Sequence, residues 1–143
     1  MSQDNGDASA FIADLVARSR AAQKQIEHYS QERVDGLIRA MVWSVARPGM
    51  AEEIAQFTVD ETQLGNYDGK FLKIQRKTRA TLLDIIHDKS VGIIEEYPER
   101  NIRVLAKPLG VIGALAPSTN PEATPVIKGI HAVNGRNSII VAP

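Results

Sequence analysis

Residues 110–142 read GVIGALAPSTNPEATPVIKGIHAVNGRNSIIVA, and no other stretch limits the fold as strongly. GVIGALA is a nearly continuous aliphatic run, the kind of strand that lies buried on both faces of a parallel sheet. From Pro125 to Val133 the apolar residues Val126, Ile127, Ile130 and Val133 recur at helical spacing. Thr124 is the expected N-cap of that helix and Pro125 suits its first helical position. Gly135 is the expected stop, and Ser138-Ile139-Ile140-Val141-Ala142 reads as a second buried strand. Strand, helix and strand within about thirty residues form a βαβ unit, whose crossover is right-handed and whose strands are parallel. An α/β fold follows. Two parallel strands still leave two edges to pair or cover, so the unit is expected to be the start of a larger Rossmann-like sheet.

The preceding half has a different texture. Phe11, Ile12, Leu15, Val16, Ala22, Ile26 and Tyr29 recur at three- and four-residue intervals, as do Val34, Leu37, Ile38, Met41, Val42 and Val45. Ser30 is the expected N-cap between these two helices, with Glu32 in the first turn. Arg47-Pro48-Gly49 ends the second helix. A third is expected over about 50–64, stopping at a left-handed Gly65. A fourth runs from near Asp68 to about Lys89, with Phe71, Ile74, Thr78, Leu82, Leu83, Ile85 and Ile86 as its apolar side. After Val91 the period shortens: VGIIEEY and IRVLA, separated by Pro98, read as an exposed hairpin. Three segments are expected: helices over 1–90, a hairpin over 91–109, and the start of the α/β unit over 110–143.

Lysine plus arginine equals aspartate plus glutamate at 17 each, which removes the long-range field that nucleic acid or an anionic membrane would call for. The chain has no cysteine, so it holds no disulfide, thiolate metal site or cysteine nucleophile of its own. Its N-terminus, MSQDNGDASA, lacks an apolar signal core, and no stretch approaches 18 uninterrupted apolar residues. A cytoplasmic location is expected. His28, His87 and His131 fall in separate elements without paired acids, which gives no reason to expect a metal site. The basic series Lys70, Lys73, Arg76, Lys77 and Arg79 reads as a solvated helix face. Glu95 and Glu96 read as protection of a strand edge, and the Gly110-Val-Ile-Gly113 pair as strand glycines near a bend.

The stretch that invites chemistry is Pro117-Ser118-Thr119-Asn120-Pro121. In open α/β sheets the ligand crevice lies beyond the carboxyl ends of the strands, which is where these residues fall. An amide held between prolines is preorganised as a hydrogen-bond donor towards developing negative charge. The same spacing also suits an asparagine that caps the next helix or closes a turn.

The run GVIGALAPSTNPEATPVIKGIHAVNGRNSIIVAP resembles the start of the cofactor-binding domain in the aldehyde dehydrogenase superfamily. With its P-S-T-N-P motif and R-N-x-I-I strand it is more similar to the CoA-acylating branch. The hydrolytic branch usually has tryptophan where Thr119 stands, and a lysine before a proline where this chain has Ala142-Pro143. YSQERVDGLIRAMVWSV and DETQLGNYDGKFLKIQRKT resemble the N-terminal helices of the acylating branch, most closely in its enzymes for sulfoacetaldehyde. The resemblance implies oxidation of an aldehyde to its acyl-CoA, with NAD or NADP taking the hydride, coenzyme A accepting the acyl group, and a cysteine as nucleophile. It implies that Asn120 donates to the oxyanion, that Pro117, Ser118 and Thr119 line the nicotinamide end, and that Ala142 and Pro143 lie near the adenosine end. It also implies a homo-oligomer built through the hairpin, at residues 93–107.

Subunits of that family run to several hundred residues, with the cysteine far beyond position 143. The chain is therefore expected to be an N-terminal fragment, inactive alone. The alternatives are a non-catalytic module that pairs with a full-length homologue, a stand-alone nucleotide-binding unit, and a helical bundle with an unrelated role.

Overall fold

The computed structural model describes residues 4–143, with side chains from Asp7 onward. Four helices come first: α1 (Asp4–Ile26), α2 (Gln31–Ala46), α3 (Met50–Thr62) and α4 (Tyr67–Ile85). An antiparallel hairpin, β1 (Gly92–Tyr97) and β2 (Ile102–Ala106), follows, and then β3 (Val111–Leu115), α5 (Thr124–Asn134) and β4 (Ser138–Ala142). Strands β3 and β4 pair in parallel, from Val111 opposite Ser138 to Leu115 opposite Ala142. The βαβ expectation holds.

Helix boundaries follow local chemistry. The Ser30 hydroxyl accepts the Arg33 amide at the start of α2, and the Glu52 carboxylate reaches back to the Gly49 amide before α3. The left-handed residue that ends α3 is Gln63 (φ 54°), so the helix stops ahead of the expected Gly65. Gly65 is itself left-handed (φ 77°), two residues further on. Asn66 caps α4 by accepting the Gly69 amide at 2.8 Å. That helix ends at Ile85, earlier than its periodicity suggests, and Leu83 points outward. Helix α5 has no side-chain cap, and Thr124 lies inside it. Its entry is a backbone turn in which the Thr124 amide donates to the Asn120 carbonyl, and Pro125 has no amide hydrogen to satisfy.

Helix α2 is the centre of the fold, packing against α3, α4 and α5. Ile38, Val42 and Ala46 of α2 form one cluster with Ile85, Ile86 and Ile130, while Ala51, Ala55 and Ile74 form another between α3 and α4. Gln31, the first residue of α2, also pins the point where the helical half gives way to the hairpin: its Oε1 accepts the Ser90 and Val91 amides at 2.8 and 3.0 Å. Helix α1 packs along β4 and β3 and ties to them through Ser19–Ser138. Its periodic Phe11 and Ile12 stay exposed. Strand β3 was expected to be buried on both faces, yet Leu115 is 70 % exposed. Its only strand partner among the described residues is β4.

The Arg-Asn pair before β4 joins three parts of the chain. Arg136 takes the left-handed conformation (φ 57°), which is strained for a residue with a Cβ. Its guanidinium donates to the Glu27 carbonyl at the end of α1 and to the Ala106 carbonyl of β2, at 2.7 and 2.9 Å. The Asn137 Oδ1 accepts the Leu109 and Gly110 amides at 2.6 and 2.9 Å, and its Nδ2 donates to the Ala132 carbonyl. In the hairpin, Glu96 pairs with Arg103 directly across the ladder, and Glu95 accepts the Tyr97 phenol at 2.5 Å. That hydrogen bond, with the repulsion between a phenolate and the carboxylate, raises the Tyr97 pKa.

Asn137→Ala should destabilise the chain by roughly 2–3 kcal/mol in urea unfolding, because it strands two backbone amides. Glu95→Gln should lower the pH at which Tyr97 ionises, towards the ordinary phenol value, in an ultraviolet titration.

Candidate functional site

The carboxyl ends of β3 and β4 lie side by side. The Ala116 amide donates to the Ala142 carbonyl at 2.7 Å, one step beyond the last paired residues. The two sequence-predicted groups, Pro117-Ser118-Thr119 and Ala142-Pro143, therefore share one end of the unit. All five are exposed, forming a ledge of small side chains and backbone.

Asn120 sits at the inner end of that ledge and is half-buried. Its amide nitrogen donates to the Pro117 carbonyl, and its carbonyl accepts from Thr124. The turn expected of it is thus made by its backbone, and its side chain caps nothing. Instead the Lys73 ammonium of α4 donates to Asn120 Oδ1. An ammonium can only donate, so the amide's NH₂ must face the other way. It does so towards the Thr119 hydroxyl, 3.3 Å off, where one N–H remains available.

Beneath the ledge is an ion pair that the sequence did not announce. Glu122 is wholly enclosed and Lys70 nearly so, with side chains 0 % and 4 % exposed and 3.4 Å between Nζ and Oε2. Lys70 also donates to the Thr119 carbonyl at 2.7 Å. The solvated-face expectation thus fails at Lys70, which stands in register with Ile74 and Thr78 on the buried side of α4. Lys73 is 42 % exposed and 3.9 Å from Glu122 Oε1. That oxygen has no hydrogen-bond partner among the described residues, since Lys73 is engaged with Asn120. A signal was present in the sequence: a lysine at an apolar position four residues before Ile74 needs a buried acid, and Glu122 is the one acid in an otherwise neutral loop.

Lys128 of α5 donates to the Leu115 carbonyl at 2.5 Å, beside an apolar hollow of about 510 Å³ along the free edge of β3. The three histidines share no site, and the described residues hold no cluster of three metal-ligating side chains.

A parallel βαβ unit with an open ledge at its strand ends is the geometry of α/β nucleotide-binding proteins. Comparison with known proteins narrows this class. No protein-family model matches the chain. It is 41 % identical over 133 residues to a sulfoacetaldehyde dehydrogenase of an Acholeplasma species, covering 93 % of this chain and 28 % of the relative. It is 44 % identical over 132 residues to the acetylating succinate-semialdehyde dehydrogenase of Clostridium kluyveri, covering 92 % and 29 %. An acetylating aldehyde dehydrogenase from Geobacillus thermoglucosidasius superposes with a TM-score of 0.91 at 29 % identity, over 100 % of this chain and 31 % of that one. Two further solved neighbours carry ligands: an engineered glycolyl-CoA reductase with bound NADP+ (TM-score 0.73, 26 % identity, 90 % of this chain and 28 % of that one) and a Rhodopseudomonas palustris propionaldehyde dehydrogenase with bound propionyl-CoA (TM-score 0.70, 25 % identity, 90 % and 28 %). By sequence and fold together, the chain belongs with the acylating aldehyde dehydrogenases. It spans under a third of the length of the curated relatives it matches.

Lys70→Met should cost about 3–5 kcal/mol of stability, because it leaves the Glu122 carboxylate buried without its cation. Adding Glu122→Gln should recover most of that loss, a double-mutant comparison that chemical unfolding can read.

Proposed function

We propose that the protein to which these residues belong oxidises a small aldehyde to its acyl-CoA, with NAD or NADP as hydride acceptor and coenzyme A as acyl acceptor. Sulfoacetaldehyde is the substrate favoured by the relatives. The observation that carries the reading is the orientation of Asn120: a lysine holds its carbonyl oxygen, so its NH₂ is turned outward at the carboxyl end of β3. A donor fixed before reaction is what a developing oxyanion requires, because no reorganisation accompanies the charge change.

In this reading a cysteine thiolate adds to the aldehyde carbonyl, and the oxygen of the resulting adduct takes a hydrogen bond from the Asn120 side chain. When bound, the nicotinamide cofactor supplies the acceptor for the hydride that leaves the adduct. The ledge suits such a cofactor: Pro117, Ser118 and Thr119 would hold its nicotinamide end and Ala142 and Pro143 its adenosine end. All five are exposed and small enough to let a ligand approach the backbone. With no cysteine among the 143 residues, the nucleophile comes from outside them, and this chain alone is catalytically silent.

Three segments divide the labour: helices over 1–90, a hairpin over 91–109 and the cofactor-binding unit from 110. We place a homo-oligomer contact at the hairpin, where Tyr97, Ile102 and Leu105 are exposed. A cytoplasmic setting accords with helices none of which, among the described residues, is long and apolar enough to cross a membrane.

The test is an assay of the natural protein containing these residues, supplied with a short aldehyde, coenzyme A and NAD+ or NADP+. Cofactor reduction should require both the aldehyde and coenzyme A, and Asn120→Ala should lower kcat about 10²–10³-fold. Reduction that proceeds equally well without coenzyme A, or a kcat unmoved by Asn120→Ala, would overturn the assignment.

A further inference from the structure

We propose that Lys73 reads the far end of the substrate, so that the site prefers short aldehydes carrying a sulfonate or carboxylate. The proposal rests on the acyl-CoA-forming reading above and adds to it the substrate class.

Charge comes first. Lys70, Lys73 and Glu122 form one cluster with two ammonium groups and one carboxylate. Lys70 and Glu122 are enclosed and neutralise one another, so Lys73 is the surplus cation. It is also the exposed member, at 42 %. An enclosed charge balance that leaves one positive group at the surface favours an anion there.

Position comes next. Lys73 donates to the carbonyl oxygen of the same amide whose NH₂ is the oxyanion donor. The Lys73 ammonium and the reacting carbonyl oxygen would then lie at opposite ends of one amide group, each a single hydrogen bond away from it. An ammonium has three N–H donors. One is spent on Asn120, and Glu122 Oε1 lies beyond hydrogen-bond distance at 3.9 Å, so donors remain for a ligand. A compact molecule with an aldehyde at one end and an anion two or three carbons away can span that separation. Beside Lys73, a recess of about 270 Å³ opens between Thr119 and the start of α4, walled by Gly65, Asn66 and Gly69. It has room for a small acid. The two relatives named for their substrates fit the same description, since sulfoacetaldehyde bears a sulfonate and succinate semialdehyde a carboxylate.

Two measurements test this. The first needs no catalysis: the chain is titrated with propanesulfonate, with the uncharged 1-propanol as control, while the side-chain amide resonances of Asn120 are followed by NMR. A saturable, salt-sensitive shift with the sulfonate is expected, absent with the alcohol, lost in Lys73→Met and kept in Lys73→Arg. No saturable shift, or one that survives Lys73→Met, overturns the proposal. So does a response to ADP without one to propanesulfonate, which would give the cation to a cofactor phosphate.

The second compares kcat/KM of the natural protein for succinate semialdehyde and for butanal. Lys73→Met should reduce the anionic-to-uncharged ratio roughly 10- to 100-fold, the scale of a hydrogen bond to a charged group, and Lys73→Arg should restore much of it. Equal losses on both aldehydes would reduce Lys73 to a support for Asn120 and overturn the proposal. Wild-type protein that forms acyl-CoA from neither aldehyde would instead overturn the underlying reading, and the titration would still decide whether Lys73 holds an anion.

Discussion

Everything at the site rests on a charge hidden under it. The Glu122 carboxylate has no access to water, and among the described residues Lys70 supplies the one cation in hydrogen-bond reach of it. Two ions removed from solvent attract strongly but lose their hydration, so such a pair adds little net stability. Its effect is on geometry. Lys70 belongs to α4 and Glu122 to the loop entering α5, and the same ammonium holds the Thr119 carbonyl. The loop can leave this position only by exposing an unpaired charge, which holds Thr119 and Asn120 at a set height above the end of β3.

A similar device works at the opposite end of the βαβ unit. Arg136 and Asn137 gather the end of α1, the end of β2 and the start of β3 through backbone hydrogen bonds. One unit is thus tied to the helical half at both ends, by a side-chain ion pair at the carboxyl ends of its strands and by backbone capture at their amino ends. The packing of α2 against α3, α4 and α5 fills the space between. The free edge of β3 and the exposed Leu115 mark where this arrangement stops covering its own apolar surface.

Much of this was legible beforehand, for reasons that differ by element. The βαβ unit could be read because two aliphatic runs around a proline-started helix admit few arrangements. Ser30 and Glu32 marked the start of α2 because caps act through bonds to residues three positions away. Other expectations depended on distant neighbours and went astray. Thr124 has the chemistry of a cap, but the turn from Asn120 already uses its amide. Gly65 has the freedom to end α3, yet Gln63 takes the left-handed conformation first. Leu83 and Phe11 lie on apolar periods that nothing covers among the described residues.

The candidate site divides in the same way. The sequence by itself determined the amide between two prolines at a strand's carboxyl end, and the absence of a cysteine to react beside it, since both are properties of neighbouring residues or of composition. Only the tertiary structure decided which way that amide points. Lys73 lies 47 positions before Asn120 and Lys70 lies 52 before Glu122. Along the chain both belong to one basic series, in which only the apolar period of Lys70 with Ile74 hints at burial and nothing sets Lys73 apart from a solvated face. Packing α4 against the α5 loop turned one lysine inward to a buried acid and left the other beside the donor. Burial makes a charge specific, and burial is a property of the fold.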